Sequence, residues 1–193
     1  GQTEEVEVDI HPERPELGKA KITFGKEIYV EKSDFMIEPV KKYFRLFPGN
    51  EVRLKGAYFI TCNSYETDEN GNVTALHCTY DPETKGGNAP DGRKVKGTIH
   101  WAGPKAFKAE VRLYDRLFNV EDPAGVPDDE FVNAINPESL VVLKDCLIEE
   151  GLKDAKYLDS FQFMRNGYFC VDKDSTPENP VFNRTVQLNS SWK

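Results

Sequence analysis

Along most of this chain apolar residues recur at every second position, a spacing that suits strands and defeats amphipathic helices. Ile22 and Phe24, then Ile28 and Val30, alternate around Gly25. Val52 and Leu54 open a run that we expect to continue as one strand through Ala57, Phe59 and Cys62. Asp68-Glu69-Asn70-Gly71-Asn72 follows, and Asn-Gly is a strong hairpin signal. The return strand is expected over 73–79, with further strands over 95–101, 109–117, 167–171 and 181–188. Val, Ile, Thr, Tyr and Phe enrich all of these, as half-buried pleated surfaces require. Helical signals are short: one turn or two capped at Ser33-Asp34-Phe35, and another over 128–135 stopped by Pro137. The expected fold class is all-β, built as barrels or sandwiches.

The chain's 193 residues suffice for one large domain or two small ones. The stretch 81–91 holds Pro82, Gly86, Gly87 and Pro90 and little that is apolar, so the seam between two β units is expected near 88–98. We divide the chain into a loose acidic segment over 1–10, a first unit over 11–92 and a second over 93–193, whose last strands are expected to return to the first. No run of 18 or more apolar residues occurs, and no basic-then-apolar leader opens the sequence, so neither a membrane span nor a secretory signal is expected.

Net charge is −8, from 25 Lys and Arg against 33 Asp and Glu. Taken whole, that opposes nucleic-acid binding. The distribution reverses the argument. Acids crowd residues 4–9 and 121–130, whereas Lys41, Lys42, Arg45, Arg53 and Lys55, then Arg93, Lys94 and Lys96, gather apart from them. An acidic protein can carry a basic stripe for RNA. Cys62, Cys78, Cys146 and Cys170 form no CxxC pair and no His stands at ligand spacing, so no metal site is expected. Cys62, Cys78 and Cys170 read as small buried hydrophobes in a reducing, cytoplasmic compartment.

No catalytic constellation stands out. His77 and Cys78 are adjacent in a strand and point to opposite faces, which opposes a dyad. GxSxG, GxGxxG and GxxxxGK[ST] are absent, and Gly86-Gly87 has no phosphate-cradle motif around it. Basic residues interleaved with aromatics are the better lead. Lys41-Lys42-Tyr43-Phe44-Arg45 leads to Arg53-Leu54-Lys55, whose two cations share one strand face. Such a face suits phosphates or unstacked bases; a plain solvated face is the competing reading. In Phe161-Gln162-Phe163-Met164-Arg165, core packing explains the phenylalanines but does not require Gln162, which offers both a donor and an acceptor.

Several blocks carry a family likeness in fixed order. They are Thr79-Tyr80-Asp81, then the run from Pro90 to Trp101, then Ala109 to Phe118. Ile135-Asn136-Pro137-Glu138-Ser139-Leu140, Phe161-Gln162-Phe163, Gly167-Tyr168-Phe169-Cys170-Val171-Asp172 and Val181-Phe182-Asn183-Arg184-Thr185-Val186 complete the set. The chain resembles, from about His11 to Trp192, the C-terminal anticodon-binding region of bacterial-type glutaminyl-tRNA synthetases. Related glutamyl enzymes share part of these words, and ribosomal protein L25 shares the barrel fold without them. An acidic protein-binding β domain is the remaining alternative.

The resemblance implies two mostly antiparallel β-barrels of the L25-like type and a monomer. It implies an N-terminal catalytic domain of the same parent chain, where ATP would be used; the HIGH-like and KMSKS-like signatures are missing here, so no catalytic residue and no cofactor is assigned to this chain. The implied partner is the anticodon loop of tRNA(Gln), each base splayed into its own pocket. By position, Arg45 matches the reader of the third base, guanine; Gln162 and Arg165 match the uracil pocket; Arg53 and Lys55 match arginines near the first base and its phosphates. Lys42 stands where bacterial members have glutamine, Phe44 where they have lysine, and Lys55 replaces arginine. Asn189 and Ser191 replace an arginine and a threonine; with Lys41 they are further candidates for tRNA contact. One family contact to the uracil comes from chain preceding Gly1.

Overall fold

The computed structural model describes residues 3–10, 16 and 18–188. The chain is all-β: eleven strands and a handful of one-turn 3-10 segments make up its regular structure among these residues. It divides into two compact units, Gly1–Ala106 with Glu149–Gly151, and Phe107–Ile148 with Leu152–Lys193.

Unit 1 begins with β1 (Thr3–Asp9), paired antiparallel to β2 (Lys19–Gly25) in the register Val6↔Ile22 and Val8↔Ala20. The loose N-terminal segment expected from sequence is therefore a strand. Glu5, Glu7 and Asp9 alternate with Val6 and Val8, which are buried; Glu5 reaches Lys21 (3.0 Å) and Glu7 reaches Lys19 (3.8 Å), while Glu4, on the valine face, reaches Lys85 Nζ (2.8 Å). A strand with one buried face tolerates charge on the other.

The second sheet of unit 1 has the order β5-β4-β3-β6. It is built from β3 (Glu51–Leu54), β4 (Phe59–Thr67), β5 (Val73–Asp81) and β6 (Thr98–Ile99). The run expected as one strand from Val52 to Cys62 is two strands. Leu54 N–H donates to Tyr58 O (2.8 Å), Ala57 N–H donates to Leu54 O (3.0 Å), and Gly56 turns the chain at φ 69°. A β-carbon at Gly56 would meet Val8 at 2.8 Å, so only glycine fits both the left-handed turn and the strand beneath it. The Asp68–Asn72 turn joins β4 to β5 as expected, with Asp68 Oδ1 accepting from Asn70 and Asn72 N–H groups at 2.9 and 2.8 Å.

The core of unit 1 gathers Val6, Ile22, Phe24, Leu46, Val52, Leu54, Tyr58, Ile99 and Trp101. Phe24 lies against Tyr58 and Trp101 at ring-centroid distances of 4.9 and 5.7 Å, and Trp101 Nε1 donates to Lys55 O (3.1 Å). Each such aromatic contributes roughly 1.5–3 kcal/mol by burial. Cys62 is buried here, but Cys78, its partner across β4 and β5, is exposed, contrary to the sequence reading.

The stretch read as a seam belongs to this unit. Pro82–Thr84 forms a 3-10 turn whose Thr84 is fully buried; its hydroxyl accepts from Phe59 N–H (2.8 Å) and donates to Asp81 O (2.7 Å). Past the 92/93 division suggested by sequence, β6 lies parallel to β3, pairing Arg53 with Thr98 and Leu54 with Ile99, and unit 1 continues to Ala106.

Unit 2 is a five-stranded sheet in the order β8-β7-β11-β10-β9. Its strands are β7 (Phe107–Tyr114), β8 (Leu140–Ile148), β9 (Ser160–Phe163), β10 (Gly167–Val171) and β11 (Val181–Val186). All pairs are antiparallel except β11 against β7. Ala109, Val111, Ile148, Phe169, Val171 and Phe182 form its core, with Phe163 stacked on Phe169 at 4.4 Å. The last described strand, β11, stays in this sheet; the segment that rejoins unit 1 is Glu149–Gly151, where Glu150 accepts from Thr23 N–H. Asn136 holds the β7–β8 connection: its Nδ2 donates to Arg116 O (2.9 Å) and its Oδ1 accepts from Glu138 N–H (3.1 Å), a structural duty for that sequence block. Both units are all-β as expected, and the hydrogen-bonded strand order of each sheet is open among the described residues.

Candidate functional site

In unit 1 the candidate residues lie on two neighbouring pieces of chain. The first is the segment 40–46. Tyr43 N–H donates to Val40 O (3.0 Å), and Lys42 takes the left-handed φ of 69° in the resulting turn. Lys41 and Lys42 are exposed and Leu46 is fully buried. Leu46 N–H donates to Asp34 O (2.9 Å) and Met36 N–H to Leu46 O (3.1 Å), which ties the segment to the 3-10 turn Lys32–Asp34. The turn is the short helical signal of the sequence, reduced to three residues. Lys96 Nζ lies 5.1 Å from the centre of the Phe44 ring.

Arg45 is held at both edges of its guanidinium. Nε lies 3.3 Å from Asp34 Oδ1, and Nη1 donates to Ser33 O (2.9 Å). Tyr43 donates its hydroxyl to the same carbonyl (3.1 Å), and its ring centre lies 5.9 Å from Arg45 Cζ. Asn50 Nδ2 fixes the Arg45 backbone through its carbonyl (2.7 Å). The Asp34 side chain is 1% exposed and that of Arg45 34%. A carboxylate so buried demands a cation, and Arg45 supplies it. Sequence reasoning took Ser33-Asp34 for a helix cap and missed this pairing.

The second piece is β3. Val52 and Leu54 are buried, while Arg53 and Lys55 are half-buried. Across the sheet Arg53 pairs with Phe59 and Phe59 with Asp81. Cross-strand partners share a face, so Arg53 lies over the Phe59 ring, 5.2 Å from its centre. Arg53 makes no hydrogen bond or ion pair among the described residues, and its Nε is buried without a partner. The Phe59 platform was not anticipated; its sequence signal is an aromatic in register with a basic residue on the neighbouring strand.

Arg93 contrasts with it. It also lies over Phe59, at 5.4 Å, but it is spent on carboxylates. Nε and Nη2 each donate to Glu51 at 3.1 Å, Nη1 donates to Asp91 (2.8 Å), and Nη2 to Asp81. Those hydrogen bonds, led by Glu51, raise the Arg93 pKa above its ordinary value, and Arg93 holds the Asp81 carboxyl below its own. Grouped by sequence with the free cations, Arg93 is a structural clasp. In unit 2, Arg112 is likewise committed to Glu110 (2.8 Å), Asp174 (3.3 Å) and Asp172 (3.5 Å).

Gln162 and Arg165 lie in unit 2. Phe161 and Phe163 turn toward the core, and Gln162 stands exposed on the other face beside its cross-strand partner Tyr168, which is 46% exposed. Arg165, exposed and at φ 65°, occupies the β9–β10 hairpin, where Asn166 N–H donates to Phe163 O (2.9 Å). Asn189 and Ser191 lie outside the described residues. Among the described residues no cluster of three His, Cys, Asp or Glu could hold a metal, and no helix is long and apolar enough to cross a membrane. Gly86 and Gly87 do not cradle a phosphate: Gly87 N–H turns back to Thr84 O (2.8 Å).

The arrangement thus offers cations and amide groups of the kind that meet phosphates and base edges. Two family models match, both described as tRNA synthetases class I (E and Q), anti-codon binding domain, over residues 1–81 and 98–172. The chain is 50% identical over 193 residues to the glutamine–tRNA ligase of Bradyrhizobium diazoefficiens. It is 52% identical over 195 aligned residues to those of Aliivibrio salmonicida and Clostridium perfringens. All of this chain is covered in each case but only 34–35% of the relative, so the chain spans about a third of the length of the curated relatives it matches. The chain belongs to the anticodon-binding region of the class I tRNA synthetases of the E and Q kind.

Proposed function

We propose that the chain is the anticodon-binding region of a glutamine–tRNA ligase and that it reads the anticodon loop of tRNA(Gln). The observation that carries this reading is the division among its arginines. Arg45 and Arg53 keep N–H donors that no described residue uses, while Arg93 and Arg112 are consumed by carboxylates. In this reading Arg45 meets the third base, a guanine, with Lys41 and Lys42 beside it. Arg53 and Lys55 meet the first base and its phosphates. Lys55 acts as a point charge where a guanidinium would make a fork. Gln162 offers a donor and an acceptor to the uracil edge, with Arg165 at the hairpin above it. Asn189 and Ser191 are further contacts in the same proposal. Attachment of glutamine with ATP falls to a catalytic domain of the same protein; no step of that chemistry is assigned to residues here. A monomeric, cytoplasmic protein with reduced thiols fits the same reading.

The test is binding of tRNA(Gln) between about 50 and 200 mM salt. Phosphate neutralisation should make the affinity fall linearly on a log–log plot. A flat salt dependence, or equal affinity for a tRNA whose anticodon differs at all three bases, would contradict the proposal.

A further inference from the structure

The partners of Arg45 fix more than its position. A guanidinium carries five N–H hydrogens and can offer two forks, one side-on through Nε and Nη2, the other end-on through Nη1 and Nη2. On the side-on fork of Arg45 stands the buried Asp34 carboxylate, its Oδ1 at ion-pair distance from Nε (3.3 Å), so a base acceptor reaching Nε would meet a negative charge. One Nη1 hydrogen is taken by Ser33 O at 2.9 Å. What remains is the second Nη1 hydrogen and both Nη2 hydrogens, none of which has a hydrogen-bond partner among the described residues. The side chain is 34% exposed and its carboxylate partner 1%.

We infer that Asp34 is a positioning residue for base recognition: its carboxylate beside Nε keeps base acceptors off the side-on fork and leaves Arg45 to present its end-on fork, which meets the O6 and N7 acceptors of a guanine. The inference rests on the proposed reading of Arg45. Asp34 itself touches no base. Its backbone is pinned on both sides, by Asp34 N–H to Glu31 O (2.9 Å) and by Leu46 N–H to Asp34 O (2.9 Å), so the carboxylate has little freedom to follow the arginine. Two acceptors fixed on the protein side leave the free edge with one direction to face. Preorganisation of this kind favours discrimination over raw affinity, because a misaligned fork can still find a phosphate but cannot match two base acceptors.

A double-mutant cycle on the ligase that carries this region tests it. Discrimination is read as the ratio of tRNA affinities with guanine and adenine at the third anticodon position. Asp34→Asn keeps the shape and an acceptor but withdraws the charge. It should lower the ratio about tenfold, and adding it to Arg45→Ala should lower the ratio no further. If the two losses multiply, Asp34 acts independently of Arg45 and the inference is overturned. If Asp34→Asn weakens every tRNA alike with an unchanged ratio, its role is only structural, and the inference fails while the reading of Arg45 stands. Should Arg45→Ala leave the ratio unchanged, both fail. A measurement without any protein variant covers the case in which Asp34→Asn does not fold: wild-type ligase with 7-deazaguanosine at that position, which lacks N7, should bind about tenfold more weakly. Unchanged affinity for that tRNA excludes the end-on fork.

Discussion

Gly97 lies so close to the backbone of Phe44 that a β-carbon on it would sit 1.8 Å from the Phe44 carbonyl oxygen. The residue before Arg45 therefore rests directly on the chain entering β6, and β6 is in turn hydrogen-bonded to β3 through Arg53 N–H and Gly97 O (2.9 Å). One glycine thus couples the two pieces of chain that carry Arg45 and Arg53. A backbone atom cannot yield as a flexible side chain would. Gly97→Ala should cost about 1–3 kcal/mol of stability by overpacking, seen in urea denaturation as a lower midpoint, and should weaken tRNA binding. A variant as stable and as tight as wild type would show that the 40–46 segment is free to move.

Arg53 and Arg93 touch the same ring but should respond in opposite ways. Arg53→Ala removes a cation that makes no ion pair among the described residues, so it should weaken tRNA binding and reduce the salt slope by about one. Arg93→Ala breaks contacts to Glu51, Asp81 and Asp91 and should lower the thermal midpoint first. The paired measurement is a salt titration and a melting curve on each variant; exchanged outcomes would reverse the two roles.

The attachment of β1 should be sensitive to acid. The hydrogen bond from Lys85, then that from Tyr58, holds the Glu4 carboxyl below its ordinary value of 4.5. A carboxyl whose pKa is lower folded than unfolded contributes stability that is fully present above 4.5 and is lost as pH falls through the folded value. Amide exchange in residues 3–9 should accelerate in that range, and Glu4→Gln should remove that pH dependence. Protection of β1 that is constant through the range in the wild type would refute the linkage.

What the sequence discloses follows from how local each signal is. The hairpin at Asn70-Gly71 is legible because its turn chemistry sits in five consecutive residues. The alternation of Val6 and Val8 is equally local, but Glu4, Glu5 and Glu7 give it the composition of a loose tail; only the lysines on β2 and Lys85 reveal it as a strand face. β3 and β4 read as one strand because Lys55-Gly56 interrupts the alternation without a strong turn pair. β8 went unread because Leu140, Val141, Val142 and Leu143 are apolar without alternating, and all four are exposed. At the site, the types Arg45, Arg53, Gln162 and Arg165 are visible in the chain, but which arginine is available is not. Arg93 is neutralised by Glu51 and Asp81, which lie 42 and 12 residues away, and such partners become visible only in the fold.

The most direct test of the account is Arg45→Ala in the ligase that carries this region, assayed for glutamine attachment with tRNAs varied at the third anticodon base. Because the substitution also removes a partner of buried Asp34, affinity alone is not decisive; the ratio between guanine and the other bases is. That gap should narrow by about 1–3 kcal/mol, the worth of a bidentate arginine–guanine pair. Discrimination that survives intact would contradict the account and leave Arg45 as a structural counter-charge to Asp34.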